Sequence, residues 1–366
     1  MKLERHIPAL DGIRGFAALL VVISHFHSFG LPDLLNMHVG DYGVLLFFIL
    51  SGFLMGHLYL DRVPDRPAII GYAAARIARI LPLYVLIVFI SLAVHQGIDR
   101  NFVYAVDWHS LIRLATLTST ISVFWSIGPE FQFYFIFPFI WILFRLTGRA
   151  RMIGFAAMAG MVALCYYFSS WAPGFSVFSK LHIFVAGIAI AVLRRRVSRE
   201  VAATLVPTTL TFTLGILGLL LLDPAGPGDI LLPSTQGDPK HVVYYGDLLK
   251  IFACGTIIFG ATLPSAINDK IWGNPAMRRL GAYSFSIYLL HMPAFYLADL
   301  LNGWLAMSVR VHIVCALLLT LLISMASYHL YEHPANIWVR RRIVALLSSA
   351  AGAPRSQDSS AMSAKA

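Results

Sequence analysis

Apolar residues recur in long blocks of helical length, and the short stretches between blocks hold most of the charges. A helix crossing a hydrocarbon layer of ~30 Å needs ~20 mostly apolar residues. Ten such windows can be read, over residues 10–29, 41–60, 73–94, 125–144, 152–170, 179–193, 202–222, 244–264, 281–300 and 310–331. Segment 41–60 reads as hairpin-like, 179–193 is short, and 73–94 becomes continuously apolar only after Arg79. The pattern predicts an all-α polytopic membrane protein of about ten transmembrane helices, with both ends on the same side. A membrane domain over 1–345 and a small, polar, disordered cytoplasmic tail over 346–366 are the expected units.

Composition agrees with the pattern: of 366 residues 58% are hydrophobic and 13% charged, against roughly 45–50% and 25% in soluble domains. A formal net charge of +10 raises the question of nucleic acid. The positions of the charges answer it. With both termini cytoplasmic, only Arg100, Arg113, Lys180, Lys240, Lys250 and Arg310 lie outside, which leaves 22 of the 28 basic residues on the inner side. That split explains the basicity without a nucleic-acid partner and makes the run Arg194 to Arg196 a topology anchor. The expected location is the plasma membrane, the inner membrane in a bacterium. The first apolar run leads into Ser24-His25-Phe26-His27, without a cleavage signature, so it is expected to stay in the membrane. Cys165, Cys254 and Cys315 lie in apolar stretches and read as buried thiols. Outer loops 95–124 and 223–243 are connectors or binding segments.

Ionisable groups inside a membrane are costly and therefore candidates for function. At 100° per residue, Asp11, Arg14 and His25 project to about 0°, 300° and 320°, one polar stripe on the first span, with His27 on the far side. Asp11 and His25 lie about 21 Å apart along an unbroken helix, which excludes a direct dyad. Asp11 and Arg14 could form an ion pair near the inner end. A neutral imidazole at His25, near the outer end, is a competent general base. Pro129 starts the fourth helix and puts Glu130 in its first turn, where the helix dipole favours a carboxylate. Glu130 could also orient His25 or an incoming hydroxyl. Ser284, Tyr288 and His291 share one face of the ninth span, with Pro293 releasing a backbone carbonyl one turn earlier. Arg76 and Arg79, spaced RxxR, suit phosphates or anchor the headgroup level. No P-loop, GxSxG elbow, HExxH helix or zinc-ligand cluster occurs, and no metal is expected.

Six segments, in this order, resemble the acyltransferase-3 family of membrane acyltransferases: Leu10-Asp11-Gly12-Ile13-Arg14-Gly15 running to His25; Gly43 to Leu54; Arg76 to Tyr84; Trp125 to Tyr134; Ser284 to His291; and Tyr331-Glu332-His333-Pro334. The resemblance implies transfer of an acyl group, often acetyl, from cytoplasmic acyl-coenzyme A to a hydroxyl of a cell-surface glycan or lipid-linked sugar. It also implies an essential His25, with Asp11, Arg14, Arg76, Arg79 and Glu130 taking part. On this basis His25, Glu130 and Asp11 are the expected catalytic groups, and Arg14, Arg76 and Arg79 the binders of the donor's phosphates. Ser126, Tyr288 and His291 are the expected substrate contacts. The sequence departs from the family at Leu45, where Asp is common, and at Pro129 and Phe131, where Val and Glu are usual. Phe131 leaves Glu130 as the single carboxylate of that segment. The family's optional extracellular hydrolase-like domain is expected to be absent. A polysaccharide-synthesis complex is a possible partner. Rival readings are a transporter or flippase for a glycan or lipid intermediate, and a non-catalytic scaffold of such a complex.

Overall fold

The computed structural model describes residues 6–29, 39–197, 201, 205–223 and 244–349. Loop 224–243, the tail beyond 349 and the side chain of His27 lie outside the described residues, so expectations placed there are not taken further. Every described element is helical. Twelve helices are α1 (Pro8–Ser24), α2 (Val39–Tyr59), α3 (Arg66–Gly97), α4 (Ser110–Ala115), α5 (Ile127–Arg145), α6 (Gly148–Tyr167), α7 (Leu181–Arg194), α8 (Leu205–Leu222), α9 (Leu248–Ala261), α10 (Pro275–Leu305), α11 (Val309–Ser327) and α12 (His333–Ser349).

Each of the ten apolar windows coincides with one of these helices; α4 and α12 are additional. Six helical stretches are long and apolar enough to cross a membrane, and Leu181–Arg194, Thr208–Leu222 and Leu248–Ala261 are shorter apolar helices. The chain is an all-α, polytopic, integral membrane protein. Segment 41–60 is corrected: α2 is a single helix of 21 residues rather than a hairpin. Its glycines are there for packing. A Cβ on Gly52 would strike the Phe184 carbonyl, and one on Gly187 would strike the Ile49 carbonyl, so α2 and α7 lie backbone against backbone. The first span is corrected as well. α1 ends at Ser24 and a 3₁₀ turn covers Phe26–Phe29, because Ser24 Oγ and His25 Nδ1 both donate to the Val21 carbonyl at 2.8 Å and tighten the last turn.

α1 is the central element, packed between α2 and α10. The close approach to α10 rests on Gly15 and Gly281, since a Cβ on Gly281 would overlap the Asp11 carbonyl. A π-helical turn, Tyr328–Glu332, links α11 to α12, and α12 folds onto α3.

Prolines inside two helices leave carbonyls unpaired, and each is answered by a buried tyrosine. Pro293 frees the Leu289 carbonyl, which accepts from Tyr104 Oη at 2.9 Å. Pro138 frees the Tyr134 carbonyl, which accepts from Tyr72 Oη at 2.8 Å. A buried carbonyl left without a donor costs about 1–3 kcal/mol. Tyr104→Phe is therefore expected to lower the thermal unfolding temperature in detergent without moving helix content; an unchanged temperature would show that the bond contributes nothing.

Candidate active site

A cavity of about 400 Å³ opens between α1, α2, α3, α5, α10 and α12. Its volume lies in the range of small-molecule sites, ~300–1,000 Å³. Seven of the nine residues singled out in the sequence line it: Asp11, Arg14, Arg76, Arg79, Ser126, Glu130 and Tyr288. His25 and His291 do not line it; they lie together beyond it.

The mouth is formed by His6 and Asp11 at the start of α1 together with Asn336 and Arg340 of α12. Asp11 sits in the first turn of α1, where the helix dipole favours a carboxylate. Its partner is His6, at 2.7 Å, and not Arg14 as one reading of the sequence had it. Arg14 lies one turn deeper, in the electrostatic reach of Arg79, Asp11, Tyr134 and Glu130.

Arg76 and Arg79 share the cavity wall but differ in what holds them. Arg79 Nη1 donates to Glu332 Oε1 at 2.9 Å, and the other oxygen of this buried carboxylate accepts from Ser286 Oγ at 2.5 Å. Arg76 has no ion pair among the described residues; its guanidinium lies 5.6 Å from the centre of the Tyr134 ring. Four guanidiniums, of Arg14, Arg76, Arg79 and Arg340, thus face one cavity whose lining carboxylates are Asp11 and Glu130. Such planar forks match phosphate oxygens in pairs.

Glu130 is in the first turn of α5, as Pro129 predicted. Its Oε1 accepts from Ser51 Oγ at 2.5 Å and from Tyr134 Oη at 2.7 Å. Glu130 is thus held by these two hydroxyls on the cavity wall. Ser126 Oγ and Tyr288 Oη are 2.6 Å apart at the far end, and Tyr288 Oη also donates to the Val123 carbonyl at 3.1 Å.

Behind Tyr288 stand the histidines. The His291 ring lies 6.3 Å from the Tyr288 ring and 5.0 Å from the His25 ring, centre to centre. His291 is fully buried; its Nδ1 donates to the Tyr288 carbonyl at 2.9 Å and its Nε2 has no hydrogen-bond partner. Nδ1 of His25 donates to the Val21 carbonyl, so in the neutral form of each ring the lone pair is on Nε2. Cavity, Tyr288, His291 and His25 therefore follow one another along the α1 to α10 interface.

Four participants were missed in the sequence, and one of them, Arg340, counted there only among the inner-side charges. Tyr134 follows Glu130 by four residues on the same helix face, and that spacing could have revealed it. Ser51 lies in an apolar run, visible only as part of the matching segment Gly43 to Leu54. Glu332 was visible only as part of a matching segment, since its partner Arg79 lies 253 residues away. Among the described residues no group of three or more metal-binding side chains occurs.

An all-helical membrane bundle with a cationic cavity leading to a histidine pair is the class that the geometry defines. Residues 7–329 match the acyltransferase domain model of the acyltransferase-3 family, and the chain belongs to that family. It is 26% identical over 375 residues to BcsY of Komagataeibacter xylinus, a protein named as a membrane-bound transacylase, covering 93% of this chain and 88% of that one. It is 24% identical to YrhL of Bacillus subtilis, named as a peptidoglycan O-acetyltransferase, covering 90% of this chain and 55% of that one. A Staphylococcus aureus protein named as an O-acetyltransferase is 25% identical over 79% of this chain and 51% of its own length. The chain spans about half the length of the last two. No solved structure matches the chain.

Proposed function

We propose that this membrane acyltransferase takes an acyl group, acetyl in the first instance, from acyl-coenzyme A on the cytoplasmic side and esterifies a hydroxyl of a surface glycan or lipid-linked sugar. One observation carries the reading: the cationic cavity and the two histidines lie in sequence along one helix interface. Its support beyond that is the family, together with relatives named as transacylase and O-acetyltransferase. Both termini are placed in the cytoplasm by the basic residues, and the cavity mouth at the start of α1 then faces the donor.

The donor's phosphates bind Arg76, Arg14 and Arg340, with Arg79 held in place by Glu332. Glu130, braced by Ser51 and Tyr134, keeps the cavity polar where the donor's amide-bearing arm passes. His25 Nε2 takes the proton of the acceptor hydroxyl as its oxygen attacks the thioester carbonyl. The carbon–sulfur bond breaks, the thiolate leaves, and the imidazolium returns the proton to it. His291 Nε2 accepts a hydrogen bond from the acceptor or from protonated His25. The Ser126 hydroxyl, rotating its proton away from Tyr288 Oη, supplies a donor to the developing oxyanion. Transfer is direct; an acyl-histidine found after mixing the protein with donor alone would overturn that.

Mass spectrometry of surface glycans from a deletion strain tests the reading. Wild-type protein restores a mass shift of one acyl ester and His25→Ala does not, with both proteins present in the membrane. Loss of the glycan itself from the surface, with its decoration intact inside the cell, would make the protein a transporter.

A further inference from the structure

Remote from the active-site cavity, a second cavity of about 350 Å³ lies between α5, α6 and α7, walled by residues such as Ile140, Phe144, Met158 and Val185, with Arg196 as its single charged group. It opens to the membrane side of the bundle, because α6 buries only Cys165. Hydrocarbon must therefore fill it; what makes it selective is the charge at one end. The three consecutive arginines after α7 are used differently. Arg194 donates to the Thr262 carbonyl at 2.9 Å, and Arg195 donates to the Gly56 carbonyl at 2.8 Å and pairs with Asp61. Arg196 is exposed; its backbone N–H donates to the Leu193 carbonyl, but among the described residues its guanidinium has no ion pair or hydrogen bond. A second guanidinium belongs to the same end: Arg151, near the start of α6, lies 5.5 Å over the Phe155 ring, which meets the groove residue Phe144 edge-on at 5.0 Å. Among the described residues, neither carbonyl nor carboxylate answers the guanidiniums of these two residues.

We infer that this groove binds one acyl chain of an anionic phospholipid, with the lipid phosphate held by Arg196 and Arg151. The ligand is a structural lipid of the leaflet that the arginines face, and the inference stands apart from the acyl-transfer reading. Attraction of a basic residue to an anionic lipid surface amounts to about a five-fold preference per residue.

The test uses the full chain in detergent, titrated with dioleoyl phosphatidylglycerol or dioleoyl phosphatidylcholine and read by native mass spectrometry. Wild type is expected to retain the anionic lipid in a one-to-one adduct about five-fold or more above the zwitterionic one. Arg196→Gln, at an exposed position, reduces that ratio towards one. Ala189→Trp, which fills the groove from an exposed site on its wall, removes the adduct of either lipid. Equal retention of the two lipids by wild type, or a preference that survives both substitutions, overturns the inference.

Discussion

His25→Ala lowers acyl transfer by at least ~10²-fold, the usual contribution of a positioned general base, while the protein stays folded in the membrane. The reason is geometric. His25 lies at the end of α1, where its Nδ1 is tied to the Val21 carbonyl and the ring rests 5.0 Å from His291. The neighbouring His291 also has its Nδ1 tied to a carbonyl, but its complete burial leaves His25 as the ring better placed to meet an incoming hydroxyl. His291→Ala is expected to have a smaller effect, because this residue acts through its neighbour. It is a positioning residue, so its loss shifts the pH profile of transfer as well as the rate, which a packing defect alone would not do. Rates in membrane vesicles from pH 5 to 9 distinguish these outcomes: equal losses with unchanged profiles would deny the two histidines separate roles.

Arg76 and Arg79 are one turn apart in sequence and yet are expected to fail in different ways. Arg76 has aromatic neighbours but no ion pair among the described residues, and its charge is the one proposed to meet the donor's phosphates. Loss of one charge-assisted contact of ~1.5–3 kcal/mol raises the donor KM roughly 10- to 100-fold, with thermal unfolding unchanged. Arg79→Gln instead leaves the buried Glu332 carboxylate with only Ser286 as partner. Stranding a buried charge costs several kcal/mol, so this variant loses stability along with activity. Glu332→Gln, which keeps an oxygen acceptor, is expected to lie between them. Identical unfolding temperatures for Arg76→Ala and Arg79→Gln would refute the distinction.

Much of this was legible because the membrane simplifies the code. Apolar length alone located all ten windows, and the cost of intramembrane polarity singled out the site residues that the cavity gathers. Pro293 was readable in the same way: its ring requires an orphan carbonyl, although not that Tyr104 from a distant loop would satisfy it. What escaped were the features set by tertiary contact. A projection on an ideal helix carried the polar stripe through to His25, whereas the local bonds to Val21 stop α1 at Ser24. The hairpin-like reading of segment 41–60 failed because nothing local reveals that α7 packs so closely that Gly52 must lack a side chain. The meeting of His25 with His291 joins residues 266 apart, which no periodicity can report. The pairing of Arg79 with Glu332 is of the same kind, and depends on the π-helical turn that brings α12 back onto α3.

We propose that the cationic cavity delivers an acyl group from coenzyme A to a glycan hydroxyl at His25. Inverted membrane vesicles supplied with radiolabelled acetyl-coenzyme A on the cytoplasmic face test it directly, with label followed into the glycan fraction. Alkali-labile label is expected with wild type, none with His25→Ala, and label restored in Arg76→Ala only at much higher donor concentration. Label that enters the glycan equally in all three would contradict it.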